Sequence, residues 1–162
     1  MAAGEIVRRH GGALPSTLAE LVALPGVGQY TARAVLAFAF EADVGVVEVN
    51  SARVLARAVA GRSLGAGEAQ ALADGLVPER GGWAWNQAML DLGATVCTKT
   101  APRCGDCPLR TCCAWAAAGR RRCAGRARSW CDVTLTLRGG SPGFALAVGR
   151  DGPPGPAVAA DA

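Results

Sequence analysis

Four cysteines constrain this chain more than any other feature. Cys97, Cys104, Cys107 and Cys113 run as C-x6-C-x2-C-x5-C inside one short segment. A cubane iron–sulfur cluster takes one sulfur ligand per iron, so four thiolates in a single loop suit it. A zinc site more often carries two C-x2-C pairs, and only one is present. The bacterial ferredoxin run, C-x2-C-x2-C-x3-C, is absent. An iron–sulfur cluster is preferred, with zinc as the alternative. Cys112, next to Cys113, reads as a bystander, and Cys123 and Cys131 fall outside the spacing. Seven cysteines is an odd number. With no charged segment leading into an apolar stretch at the start, a secretory signal and a disulfide framework are not expected.

The chain before the cysteines reads as helices. Residues 1–12 have a helical pattern, and "GGALPST" is a turn. Thr17 with Glu20 fits a capping box, and Leu18, Leu21 and Val22 make the apolar stripe of a short helix. Pro25, Gly26 and Gly28 of "LPGVG" stop it. A second helix is expected from about Tyr30 to Phe40, with Val35, Leu36 and Ala39 on one side. Further helices are expected over Ser51–Ala60, with Asn50 as N-cap, over 67–77, and from Trp83 to Ala94, carrying Trp85, Met89 and Leu92. Ala114–Ala118 adds a short one. Beyond Arg120 the texture changes: "VTLTLRGG" alternates and can pair with "GFALAV" as a hairpin. The last dozen residues are rich in Gly, Pro and Ala, and disorder is expected there. The class is all-α to about residue 118, with an irregular tail.

Charge is uneven along the chain. The net charge is +4, but from Cys97 to Arg138 nine Lys or Arg face two acids, about +7 by formal counting. One-sided positive charge suggests a polyanion, most often nucleic acid; a solvated arginine run is the plainer alternative. No apolar run reaches the length of about 18 residues that a membrane span needs. A cytoplasmic, nucleoid-associated protein that does not engage membranes is the expectation.

Two local features carry chemistry besides the cysteines. The first is "LPGVG" between two helices: its glycines allow a tight turn and present N–H groups outward. With the start of the second helix they can hold a DNA phosphate, or they can simply form an αα-hairpin turn. The second is "VVEVNSARVLAR", where Glu48 interrupts an apolar run two residues before Asn50. Glu48 can favour the start of the helix through its dipole, or it can be a catalytic carboxylate.

The combination of "ALPGVGQYTARAV", "VNSARVLAR", "NQAMLDLGA" and the 6-2-5 cysteine spacing resembles the endonuclease III superfamily of DNA glycosylases, within it the adenine DNA glycosylases. The resemblance covers about residues 4–118 and implies a helix-hairpin-helix glycosylase core. By that resemblance Cys97, Cys104, Cys107 and Cys113 hold a [4Fe-4S] cluster. Gly26, Val27, Gly28 and Gln29 form the phosphate-binding hairpin, and the loop between the first two cysteines offers Lys99 and Arg103 to DNA. Lyase members carry a nucleophilic lysine two residues after the second hairpin glycine, where this chain has Tyr30, so a monofunctional glycosylase is implied. Glu48 occupies the place of the family's aspartate in its D-x-N pattern, and Asn50 matches. A fixed carboxylate there stabilises the positive charge that develops on deoxyribose as the N-glycosidic bond breaks.

The implied substrate is double-stranded DNA with a mispaired adenine opposite 8-oxoguanine or guanine, bound by a monomer. Rival readings are a non-catalytic duplex-binding module and another branch of the superfamily. The family's general-acid glutamate and its context have no counterpart here, and a full C-terminal recognition domain is also wanting. A chain truncated at both ends, with impaired activity, is the expectation. Residues 1–93 are read as partial six-helix-barrel region, with the helix-hairpin-helix at about 16–40. Residues 94–118 are read as cluster region, and 119–162 as basic and then Gly/Pro-rich tail, a remnant of a recognition domain.

Overall fold

The computed structural model describes residues 1–119 and the backbone of two short strands beyond them. The body is helical. Helix α1 (Ala2–His10) ends at Gly11 in the left-handed conformation. Helix α2 (Leu18–Val22) starts at Thr17, whose hydroxyl accepts the Glu20 N–H, the first half of the expected capping box; the Glu20 carboxylate takes the Thr17 hydroxyl in place of its main-chain N–H. Helix α3 (Gln29–Ala39) follows the glycine turn. Helix α4 (Val49–Val54) runs without a break into a π-helical stretch, Leu55–Ala60. After α5 (Ala66–Leu76), α6 (Gly82–Asp91) runs likewise into a π-helical stretch, Leu92–Val96. A single 3₁₀ turn, Cys104–Asp106, and α7 (Ala114–Ala117) complete the cysteine segment.

The strands Thr134–Leu137 and Leu146–Gly149 pair antiparallel, with Thr134 opposite Gly149 and Leu137 opposite Leu146. This is the hairpin expected from the alternation in "VTLTL". The arginine run and the Gly/Pro-rich end lie outside the described residues.

Two apolar clusters hold the body together. Leu21, Leu24, Ala32 and Leu36 form one beneath the hairpin, with Ile6 of α1 packed on it. Val54, Leu55, Ala73, Trp85, Met89, Leu92 and Leu109 form the other, beneath the cysteine segment. The stripe expected on the Trp83–Ala94 helix is therefore buried as read. On α3 the buried face is Ala32, Leu36 and Ala37, and Ala39 is exposed. Ala39 ends the last turn, where α3 has already passed the edge of the cluster.

The segment between α3 and α4 bridges the two clusters: Val44 packs on the first and Val47 on the second. Its main chain is pinned on both sides. Asn86, wholly buried on α6, accepts the Val46 N–H at 2.8 Å and donates to the Val44 and Gly82 carbonyls, each at 2.8 Å. Arg33 on α3 and Gln70 on α5 both donate to the Gly45 carbonyl, and Asp74 accepts the Gly45 N–H. Asp43 accepts the N–H groups of Arg80 and Gly82, fixing the start of α6 to the same segment. A chain this well held delivers the next residues, Glu48 to Asn50, at a defined place.

Candidate functional site

Glu48, not Asn50, is the N-cap of α4. One of its carboxylate oxygens accepts the N–H of Asn50 at 2.7 Å and of Ser51 at 3.0 Å. The other accepts from the Asn50 side-chain amide at 3.2 Å. The Ser51 hydroxyl in turn accepts the Glu48 N–H at 2.9 Å, which closes a capping box. Asn50 was expected at the cap because its type favours that position. Glutamate displaces it because its longer side chain folds back over two orphan donors and Ser51 answers it. Asn50 then sits in the first turn.

The far oxygen of Asn50 is taken by Arg53. Arg53 donates to Asn50 Oδ1 at 2.7 Å, to the Gly93 carbonyl at 2.7 Å and to the Cys97 carbonyl at 2.7 Å. At Gly93 the two helical runs come closest: a Cβ added there would stand 2.7 Å from the Asn50 carbonyl oxygen. Only glycine fits this crossing. Glu48, Asn50, Arg53, Gly93 and Cys97 thus form one connected unit.

One turn later along the same face, Arg57 repeats the pattern on the cysteine loop. It donates to the carbonyls of Thr98 at 2.7 Å and Lys99 at 3.0 Å, and approaches Cys97 Sγ at 3.6 Å. Cys97, Cys104, Cys107 and Cys113 line a single cavity, closed by Val54, Leu92 and Trp115 among others. Cys112 does not line it; it packs on the apolar cluster and donates to the Leu109 carbonyl. Burial pushes the Cys107 thiol up, and the other three cysteines push the same way, against a bond from the Leu109 N–H. Among the described residues no three His, Cys, Asp or Glu side chains converge as they would on one metal ion. Both π-helical stretches abut this cavity, and the Cys97 N–H bonds back to the Leu92 carbonyl at 2.7 Å. Such wide turns recur beside functional sites.

The hairpin lies open. Gly26 has φ +80°, a conformation that side chains with a Cβ rarely adopt, and the Val27 N–H closes the turn on the Leu24 carbonyl. Gly28 is the N-cap of α3 and contributes no side-chain cap, and no acid stands in the first turn. Gln29 and Tyr30 are exposed, Tyr30 by half. Lys99 and Arg103 are also exposed, on the loop between the first two cysteines. Sequence reasoning missed Arg53, Arg57 and Asn86. Two arginines four apart on the Ser51–Ala60 helix, and an asparagine inside an apolar helix, were the signals available.

Known proteins resemble this chain in sequence and in backbone. A helix-hairpin-helix motif model matches residues 9–38. The adenine DNA glycosylase of Mycobacterium tuberculosis is 48% identical over 121 residues, which cover 70% of this chain and 39% of that protein. The human adenine DNA glycosylase is 43% identical over 124 residues, 68% of this chain and 21% of that protein. The chain therefore spans about two fifths of the mycobacterial relative's length. Among solved structures, a trapped endonuclease III–DNA covalent intermediate matches with a TM-score of 0.62 at 25% identity, covering 73% of this chain and 56% of that one. A thermostable thymine-DNA glycosylase matches with a TM-score of 0.65 at 27% identity, covering 71% and 55%. By sequence this chain is homologous to part of the adenine DNA glycosylases, it carries a helix-hairpin-helix motif, and its backbone is similar to that of endonuclease III.

Proposed function

We propose that this chain carries part of the core of a monofunctional DNA glycosylase of base-excision repair, which hydrolyses the bond between adenine and deoxyribose in A:8-oxoguanine or A:G mispairs. The observation that carries the reading is the connected unit from Glu48 through Asn50 and Arg53 to Cys97. It places a carboxylate at the head of α4 and locks it to the cysteine loop. As the N-glycosidic bond breaks, adenine leaves with the bonding electron pair and takes up a proton, and C1′ of the sugar gains positive charge; a water adds its oxygen at C1′ and gives up a proton, which balances the one that adenine gained. The Glu48 carboxylate supplies the fixed negative charge where that positive charge develops. Asn50 holds it by two hydrogen bonds, one from its main-chain N–H and one from its side-chain amide. Tyr30, at the start of α3, replaces the amine that a lyase would use to form a Schiff base.

Gly26, Gly28 and Gln29 hold a backbone phosphate by their N–H groups at the uncapped, positive end of α3, while Val27 keeps the turn in shape through its bond to the Leu24 carbonyl. Lys99 and Arg103 contact phosphates from the loop between the first two cysteines, and the double-stranded DNA is bound by a monomer. The adenine is extruded from the stack for reaction. Cys97, Cys104, Cys107 and Cys113 fit a [4Fe-4S] cluster. Four thiols ring one cavity instead of meeting at a point, and burying thiolates without a cation is unfavourable, as Cys107 illustrates. When bound, the cluster ties the four thiolates together and so fixes the loop. No helix among the described residues is long and apolar enough to cross a membrane, in keeping with a cytoplasmic, nucleoid-associated protein.

The bonding of Glu48 favours a second reading. Its carboxylate already completes a capping box, so the residue is fully accounted for by the helix, and a duplex-binding module that excises nothing is the alternative. Single-turnover adenine release from an A:8-oxoguanine duplex separates the two, with duplex binding recorded in the same samples. Release by the parent chain supports the glycosylase, and loss of release in Glu48→Gln assigns the carboxylate. Binding without release by both the parent and Glu48→Asp establishes the binding module.

A further inference from the structure

Arg57 makes an unusual set of contacts. Its guanidinium donates to the Thr98 and Lys99 carbonyls, approaches Cys97 Sγ at 3.6 Å, and lies 5.6 Å from the centre of the Trp115 ring. Its own carbonyl faces Cys113 Sγ at 3.8 Å. One residue of the π-helical stretch therefore touches two of the four cavity cysteines, an aromatic wall of the cavity, and the main chain of the residue that carries the exposed Lys99.

We infer that Arg57 is a positioning residue that ties occupancy of the cysteine cavity to the placement of the Lys99 loop on duplex DNA. The inference rests on the proposed cluster and DNA-contact readings. A thiol at Cys97 is a weak, neutral partner for a guanidinium; a cluster-bound thiolate is a charged one. Loading the cavity therefore strengthens the Arg57–Cys97 contact. The planar fork of the same guanidinium holds Thr98 and Lys99 by their carbonyls, so the loop is ordered before DNA arrives and less freedom is lost on binding. Linkage makes the effect reciprocal: bound duplex must favour the loaded cavity by the same factor. A lysine cannot replace this residue fully, because one ammonium lacks the geometry to meet a sulfur and two carbonyls together.

The test uses the chain reconstituted anaerobically with iron and sulfide, as parent, Arg57→Leu and Arg57→Lys, each with and without Lys99→Ala. Two readouts are taken: the reduction potential of the bound cluster and the duplex Kd at fixed salt. Donors to cluster sulfurs favour the reduced, more negative state. Arg57→Leu is therefore expected to move the potential more negative, with Arg57→Lys in between. Lys99→Ala is expected to weaken duplex binding about tenfold in the parent and less than about threefold in Arg57→Leu, because a lysine on an unheld loop contributes little.

An additive cycle overturns the inference even if the potential moves, since the loop then sits correctly without Arg57. An unmoved potential overturns it equally, because the Cys97 half of the link is then missing. Should Arg57→Leu lose its helical circular dichroism, Arg57→Lys decides: parental potential and parental coupling in that variant overturn the inference. A parent that takes up no iron and sulfide sinks the cluster reading, and the inference with it. A loaded parent that binds no duplex sinks the DNA reading instead.

Discussion

Replacing Asn86 tests how the site is held. Asn86 is wholly buried, and its amide satisfies the Val46 N–H and the Val44 carbonyl, each at 2.8 Å. Its third bond, to the Gly82 carbonyl, duplicates one that the helix can supply. Asn86→Ala removes the partners of two buried main-chain groups that water cannot reach. Each orphaned group costs about 1–3 kcal/mol, so the substitution should destabilise the fold by about 2–6 kcal/mol. Against a typical total of about 5–15 kcal/mol, that is a large share. Urea unfolding followed by circular dichroism measures it, as a lower midpoint with an unchanged slope. Gln87→Ala, one residue along the same helix, removes only a solvent-exposed bond to Asp91 and should stay within about 0.5 kcal/mol of the parent. Asn86→Asp adds a check of sign. The new carboxylate keeps the acceptor for the Val46 N–H but faces two carbonyls, so burial and repulsion raise its folded pKa. A raised acid loses stability as pH climbs above its unfolded value, so relative to parent this variant should be less stable at pH about 7 than at pH about 4. If Asn86→Ala unfolds within about 0.5 kcal/mol of the parent, the segment leading to Glu48 is not held as argued.

Other consequences follow from single contacts. Gly93→Ala forces a Cβ to within 2.7 Å of the Asn50 carbonyl oxygen, so α4 must shift; a loss of about 1–3 kcal/mol is expected from such overpacking, with altered Asn50 amide chemical shifts by NMR. Glu48→Ala removes the cap of α4 and should cost about 0.5–2 kcal/mol in urea unfolding, whereas Glu48→Asp, which can still cap, should cost less. Glu68 is held down to about 2 by its bond from Arg62, with help from the Gly65 N–H. Its contribution is present above the ordinary value of 4.5 and is lost as pH falls toward about 2. Carboxyl NMR titration should show this depressed value, and Arg62→Ala should return it toward the ordinary range; an unchanged titration in that variant would mean the pair does not form in solution.

Much of this protein is written locally in its sequence. The Thr17–Glu20 cap, the break at "LPGVG" and the buried face of α6 depend on neighbours within a few residues, and reading spacing and residue type is enough for these. The four cavity cysteines were separable from Cys112 for the same reason. What spacing could not supply was competition. Asn50 has the intrinsic preference for a cap, yet Glu48 takes it, because the reach of its side chain and the answer from Ser51 appear only once the backbone is in place. The π-helical widening of α4 and α6 was likewise invisible, since it serves contacts made across the fold.

By itself, the sequence determined an all-α body, a glycine hairpin between helices and a cysteine set suited to a cluster, because periodicity, breakers and ligand spacing are short-range signals. Only the tertiary structure decided that Glu48, Asn50, Arg53, Gly93 and Cys97 belong to one unit. Those contacts join residues some forty positions apart, and their geometry arises from the packing of α4 against the end of α6, where a single missing Cβ lets the two backbones meet.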